Sequence, residues 1–347
     1  MSREKLYLDS GYLNIEKILS YKMPFNFIVG ARGTGKTYGS LKYVYEHKIP
    51  FLYMRRTQTQ ADIINKPDFS PYRAYNRDTG KNITIKPVTK YNAAFYDLTG
   101  RDPESKEPYP DPIGWTAALS TISNVRGADI SDAKIMIYDE FIPERHEKPI
   151  KKEGDAFFNS YETINRNREL SGDPPLQVLA LANSNDLGNP IFLSLGIVRR
   201  AEKLRASGQE IYINHREGIG LFILSKTPIS EMKQETALYK LTRGSEFYDM
   251  AIENSFNEEK SKIASRPLTE YKPIVSVGEI TIYKHKSNGG YYVSEHKAGA
   301  PAEFSAGDIN LTRFRRIYNY IWIAYIENRV IFESYICEIL LNKYFNS

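Results

Sequence analysis

The 347-residue chain has one cysteine, Cys337, and that scarcity excludes an intrachain disulfide and any cysteine-based zinc site. The cysteine stands in an apolar run near the C-terminal end, which predicts a buried thiol with a packing role. No apolar stretch is long enough to cross a bilayer, and the opening MSREKLYLDSGYLN carries no apolar signal segment. The expected setting is therefore cytoplasmic, with no membrane partner. Repeats and low-complexity tracts are missing too, which argues against solenoid and linker architectures. Strong charge of one sign is also lacking. Forty-seven basic residues against 42 acidic ones leave a net charge of +5, which suits loose contact with a phosphate backbone and equally an ordinary charged surface.

The length fits two domains better than one core. Four apolar runs divide the first two hundred residues: FNFIVG (Phe25–Gly30), PFLYMRR (Pro50–Arg56), AKIMIYDE (Ala133–Glu140) and LQVLALAN (Leu176–Asn183). None alternates strictly, as expected of strands buried on both faces of a parallel sheet. A helical pattern at Thr37–Glu46 joins the first two into a βαβ unit, and Phe157–Leu170 reads as a helix stopped before Gly172 and Pro174-Pro175. Short strands are predicted at Ile83–Lys86, Ala94–Leu98, Thr116–Ser120 and Gly220–Leu224, with a charged, proline-rich surface loop at Arg101–Pro112. Ser230–Lys262 is charged and helical in period. Val275–Lys297 then places two alternating strands around Asn288-Gly289-Gly290, and Asp308–Phe345 reads as helical and aromatic. The predicted domains are 1–224 for nucleotide binding, 225–262 as a helical linker and 263–347 as a small α+β domain.

Gly30, Ala31, Arg32, Gly33, Thr34, Gly35, Lys36 and Thr37 satisfy the phosphate-loop pattern G-x-x-x-x-G-K-[ST], with a strand before and a helix after. Such a loop turns backbone N–H groups and a helix N-terminus toward phosphate. Lys36 is expected on the β- and γ-phosphates of ATP, and the Thr37 hydroxyl on Mg2+. Asp139 closes the strand IMIYD, as a metal-holding carboxylate does. Glu140 follows it, either as the base that polarises the attacking water or as the exposed end of a strand. Asn183 ends the fourth strand, as a phosphate sensor or as a turn residue. The strand Pro50–Arg56, intervening between the loop strand and the Asp139 strand, argues for the additional-strand, catalytic-glutamate (ASCE, RecA-like) branch of P-loop NTPases. Arg166 and Arg168, in TINRNREL, and Arg126, in SNVRGAD, are arginines available for transition-state charge or for plain solvation.

The blocks FNFIVGARGTGKTYGS, FLYMRR, IMIYDEFI and TINRNREL followed by LQVLALANSNDLGNPIF together resemble the DNA-packaging ATPases of small tailed podophages. That resemblance implies a homopentameric ring on the capsid portal (connector), dependent on a structural prohead RNA, that drives double-stranded DNA inward in the infected host's cytoplasm. It implies that Arg166 is a finger acting on a neighbour's nucleotide, with Arg126 as a second trans cation. It also places the basic pair Arg55-Arg56 near the nucleotide or the subunit interface, the alternative being a salt-bridged strand end. Gln58 stands where the family can carry a lysine, which argues against a DNA contact there.

Packaging is indifferent to sequence, so DNA contacts are expected on phosphates. The candidates are Arg145, Lys148, Lys151 and Lys152 in RHEKPIKK, or else these residues form a solvated loop. The C-terminal domain resembles the ribonuclease-H-like nuclease domain of large terminases. Its carboxylates Glu279, Glu295 and Asp308 form no clear two-metal constellation in the sequence, so it reads as vestigial and non-cutting. RFRRIYNY (Arg313–Tyr320) offers cations and rings to RNA, or an aromatic face to the core. A cellular ring ATPase such as a helicase, and a nucleotide-gated capsid-vertex assembly protein, are the competing readings.

Overall fold

A computed structural model describes residues 5–346, apart from 103, 126–129, 144–146, 148–149, 184–185, 225–226, 246–247, 249–261 and 298. The chain divides into two compact units, Met1–Phe256 and Asn257–Ser347.

The first unit runs α1 (Ile15–Ser20), β1 (Phe25–Gly30), α2 (Lys36–Glu46), β2 (Phe51–Arg55), α3 (Gln58–Ile64), α4 (Arg73–Thr79), β3 (Ile83–Pro87), β4 (Ala93–Asp97) and β5 (Gly114–Ala118). It continues through β6 (Ile135–Asp139), α5 (Glu153–Asn165), β7 (Gln177–Ala182), α6 (Pro190–Leu195), α7 (Val198–Ala206), β8 (Ile211–Asn214), β9 (Ile219–Leu224), α8 (Pro228–Lys233) and α9 (Ala237–Leu241). The last two helices occupy part of the segment expected as a linker.

Nine strands form one sheet in the order β3-β4-β5-β2-β6-β7-β1-β9-β8. From β5 to β9 the pairings are parallel, and β3, β4 and β8 close the edges antiparallel. The four unbroken apolar runs are the four strands β1, β2, β6 and β7, covered on both faces as parallel strands must be. Their order corrects one expectation. β2 intervenes in sequence only; in the sheet it lies outside β6, and the strand inserted between β1 and β6 is β7. Strands that are apolar on both faces carry no mark of their neighbours, so the runs alone leave this order open. The first residue of β5, Gly114, has no room for a side chain, because the Phe51 ring lies 2.5 Å from where a Cβ would sit.

Alternation along each strand sorts side chains to two faces. On one face Phe51, Tyr53, Ile135, Ile137, Leu179 and Leu181 pack with Leu41 and Val44 of α2, Tyr75 of α4 and Tyr72 just before it. On the other, Phe27, Tyr138 and Phe141 pack with Phe157 of α5 and Phe192 of α6. The adjacent Arg55 and Arg56 therefore part company. Arg56 turns to the α5 face and is fully buried. There its guanidinium donates to Glu153 at 2.6 and 2.9 Å and reaches Glu147 at 3.4 Å.

Two further differences from the sequence reading have local causes. α5 starts four residues earlier than expected and stops at Asn165, because Arg166 takes a left-handed backbone (φ 49). Asn165 Oδ1 then accepts from Leu176 N at 2.8 Å, and Arg168 donates to the carbonyls of Ser131 and Ala133. α3 went unforeseen, although Thr57 and Gln60 form a reciprocal capping box at its start.

The second unit comprises β10 (Tyr271–Val277), β11 (Ile280–His285), β12 (Tyr291–Ser294), β13 (Glu303–Phe304), α10 (Asp308–Ile326), β14 (Val330–Phe332) and α11 (Tyr335–Asn346). Its sheet order is β13-β10-β11-β12-β14. The hairpin expected around Asn288-Gly289-Gly290 is β11–β12, and β10 precedes it. The tail is not wholly helical. Asn328 takes a left-handed φ of 59, and the β-branched stretch after it pairs parallel with β12. Cys337 is buried as expected, and burial pushes its thiol up to about 11.

Glu153→Ala removes the closest carboxylate from the fully buried Arg56 charge, leaving Glu147 at 3.4 Å, and is expected to cost about 3 kcal/mol in urea unfolding. Replacing both residues by apolar ones should recover most of that loss, whereas an unchanged urea midpoint in the single variant would show that the pair is not buried in solution. Ellman's reagent should find no reactive thiol in the native chain and one after denaturation, because Cys337 is protonated and enclosed.

Candidate functional site

The C-terminal ends of β1, β7 and β6 lie side by side, and the candidate residues sit on them. Beyond Gly30 the chain folds over the end of β1. Gly33 and Gly35 take left-handed φ values of 75 and 84 before α2 begins at Lys36. L-residues resist that conformation, and the glycines let the backbone turn its N–H groups inward. The Lys36 ammonium is buried and folded onto its own loop. It donates to the carbonyls of Gly30 and Ala31, each at 2.8 Å, and to Thr34 Oγ1 at 3.2 Å. Burial pushes it down to about 7, against the opposing pull of Asp139.

Asp139 gathers the neighbouring elements. Its carboxylate accepts from Thr37 Oγ1 at 3.1 Å, from Tyr53 Oη at 2.5 Å and from Arg55 Nη1 at 3.3 Å. Burial and the adjacent carboxylate raise the Tyr53 phenol well above its usual range, so it remains a donor. Hydroxyl and carboxylate oxygens converging at the start of α2 form the hard donor set that suits Mg2+. The residues present therefore fit both a bound nucleotide and its metal.

Glu140 would point to the α5 face if β6 simply continued. Its left-handed backbone (φ 58) breaks the alternation and brings its carboxylate to Arg55, which also holds Asp139. Arg55 is thus the cation between two adjacent carboxylates, with only 13% of its side chain exposed. Sequence reasoning found the basic pair but not this division of labour. It also missed Tyr53 and Glu153. For Tyr53 the signal was its i, i+2 spacing to Arg55, which puts both side chains on one face of β2.

Asn183 directly follows β7, the strand between those of Asp139 and the loop, and is half-buried there. Arg166 lies elsewhere. It is exposed at the far end of α5, about 20 Å from the start of that helix by its length. Lys151 and Lys152 are exposed just before α5. Arg126, Arg145 and Lys148 fall outside the described residues.

The model for podovirus DNA encapsidation proteins (Gp16) matches residues 8–70 and 109–300. The chain belongs to this family. Among Gp16-type relatives, the DNA packaging proteins of Bacillus phages phi29 and B103 are 25% and 26% identical over 250 and 244 residues. Those matches cover 71% and 69% of this chain and 66% of each relative, just under two thirds of the curated relatives' length. The fold is similar to a chain of the bacteriophage Phi-29 viral genome packaging motor assembly, at 16% identity, TM-score 0.66 and coverage of 96% of this chain and 98% of that one. It is likewise similar to the Phi-28 gp11 DNA packaging motor, at 18% identity, TM-score 0.62 and 96% coverage of both. Among the described residues, no helix is long and apolar enough to cross a membrane.

Tyr53→Phe deletes one donor to Asp139 and keeps the ring. It is expected to cost about 1.5–3 kcal/mol in urea unfolding, as for a hydrogen bond to a charged group. An unaltered midpoint would mean that this hydroxyl does not hold the carboxylate.

Proposed function

We propose that the chain is an ATP-driven translocase that packages double-stranded viral DNA into a preformed capsid. It works as a homopentameric ring on the portal, with a structural prohead RNA as a further partner, in the cytoplasm of the infected host. The observation that carries the chemistry is the convergence of Lys36, Thr37, Asp139 and Glu140 beside one loop. Membership of the encapsidation family carries the mechanical purpose. The placement of β7 between β1 and β6, with Glu140 next to Asp139, supports assignment to the additional-strand, catalytic-glutamate type.

The resting contacts suggest what each residue does on binding. Lys36 exchanges loop carbonyls for phosphate oxygens, a stronger charge-assisted pairing. Thr37 and Asp139 would hold Mg2+ through their oxygens, and the metal would supply positive charge against the phosphates. Glu140 leaves Arg55 and accepts a proton from water as the water oxygen bonds to the γ-phosphorus and the bond to ADP breaks. Asn183, at the tip of β7, reads the presence of the γ-phosphate. Arg166 stands at the opposite end of α5 from its own loop, which favours action on a neighbouring subunit over action in cis. Arg126 is a second candidate trans cation, and Lys148, Lys151 and Lys152 are candidates for gripping the DNA backbone.

The second unit fits a vestigial ribonuclease-H-like domain that does not cut. Glu295, Glu333 and Cys337 approach within 4.8 Å, but Glu333 Oε2 already accepts from Ser294 Oγ at 2.8 Å and Glu295 N at 3.1 Å.

Glu140→Gln should bind ATP as the unmodified chain does while losing at least about a hundredfold in turnover, in line with loss of a general base. Normal hydrolysis by that variant would remove Glu140 from the mechanism. Mixed rings of Glu140→Gln and Arg166→Ala subunits should regain part of the ATPase activity that neither shows alone. If assembled mixed rings stay inactive, Arg166 does not act across the interface.

A further inference from the structure

The phosphate loop carries a second ammonium that the loop motif does not supply. Lys233 closes α8, in the segment that follows the last strand of the sheet, 201 residues from its contact. Its Nζ donates to the backbone carbonyl of Arg32, in the middle of the loop. It also lies so close over Gly33 that a Cβ there would collide with the ammonium and stand 3.0 Å from Lys233 Cε. The helix that presents it is firmly seated. Thr227 caps α8 by accepting from Ser230 N at 3.2 Å, Ile229 and Ser230 are buried, and Pro228 packs 3.3 Å from the Cβ position of Gly11. The stretch around Gly11 reaches the loop from the other side. Leu13 N donates to Thr34 O at 3.0 Å, and the Tyr12 ring lies 3.0 Å from the Cβ position of Gly35.

Two cations thus address one loop. Lys36 is occupied by Gly30, Ala31 and Thr34, and Lys233 by Arg32. Each ammonium bonds to neutral carbonyl or hydroxyl oxygens, burial lowers the readiness of both to hold charge, and Lys233 adds to the effect on Lys36. A polyphosphate reverses that balance, because both ammoniums then face several negative oxygens in a half-buried site.

We propose that Lys233 is a second phosphate-binding cation of the nucleotide site, delivered by α8, so that a bound triphosphate tightens the hold of the helical segment after the sheet on the loop. This rests on reading the loop as a nucleotide site and adds a coupling that the loop motif does not contain. The ammonium is tethered to a short helix that continues into α9, so the state of the nucleotide is felt directly by residues 228–241.

The test compares the full chain with Lys233→Met, Lys233→Arg and, as a control, Lys240→Met, whose exposed ammonium pairs with Glu235 at 3.0 Å. The ligand is a non-hydrolysable ATP analogue with Mg2+, read by equilibrium binding and by hydrogen exchange over residues 228–241. Loss of one charge-assisted contact should weaken Lys233→Met binding about tenfold or more, while Lys233→Arg and Lys240→Met stay within about threefold of the unmodified chain. Ligand should slow exchange over 228–241 in the unmodified chain and not in Lys233→Met. Equal affinity and equal protection in Lys233→Met overturn the proposal. Failure of the unmodified chain to bind the analogue overturns the nucleotide reading itself, and the proposal with it.

Discussion

A buried carboxylate must be satisfied or neutralised, and Asp139 is satisfied three times over. Thr37 brings it the start of α2, and Tyr53 and Arg55 bring it the end of β2. The phosphate loop, the strand after it in sequence and the strand of the carboxylates are thereby fastened at one atom group. Remove that anion and three elements lose their common acceptor. The contacts from Thr37, Tyr53 and Arg55 are therefore what fixes the direction in which this carboxylate points.

Much of this was legible from residues. The phosphate loop was plain because its glycines and its lysine have no substitute in that geometry. Asp139 and Glu140 were plain because a strand ended on them. The four central strands showed as unbroken apolar runs. What stayed hidden depends on contacts that sequence spacing does not encode. Two-sided burial erases strand order, so β7 gave no sign of lying between β1 and β6. The left-handed turns at Glu140, Arg166 and Asn328 fall on residues that usually avoid them, so no local pattern announced them. Lys233 belonged to a charged helical stretch where any lysine reads as solvated, and its partner lies some two hundred residues earlier.

The basic pair Arg55-Arg56 shows how a two-residue period separates functions that a motif joins. One arginine turns toward the phosphate-loop side and bridges the Asp139 and Glu140 carboxylates. The other turns to the opposite face and is consumed by Glu153. Reading both as one basic patch would assign the wrong role to one of them. The backbone alone decides which is which.

α5 begins at Glu153, clamped through Arg56 to the tip of β2, and ends where Arg166 caps it at the surface. It is a strut about 20 Å long with one end bolted beside the subunit's own carboxylates and the other exposed. A rigid strut does not absorb a displacement; it passes it on. Any shift at the tip of β2 therefore reappears at the exposed end of the helix, about 20 Å away.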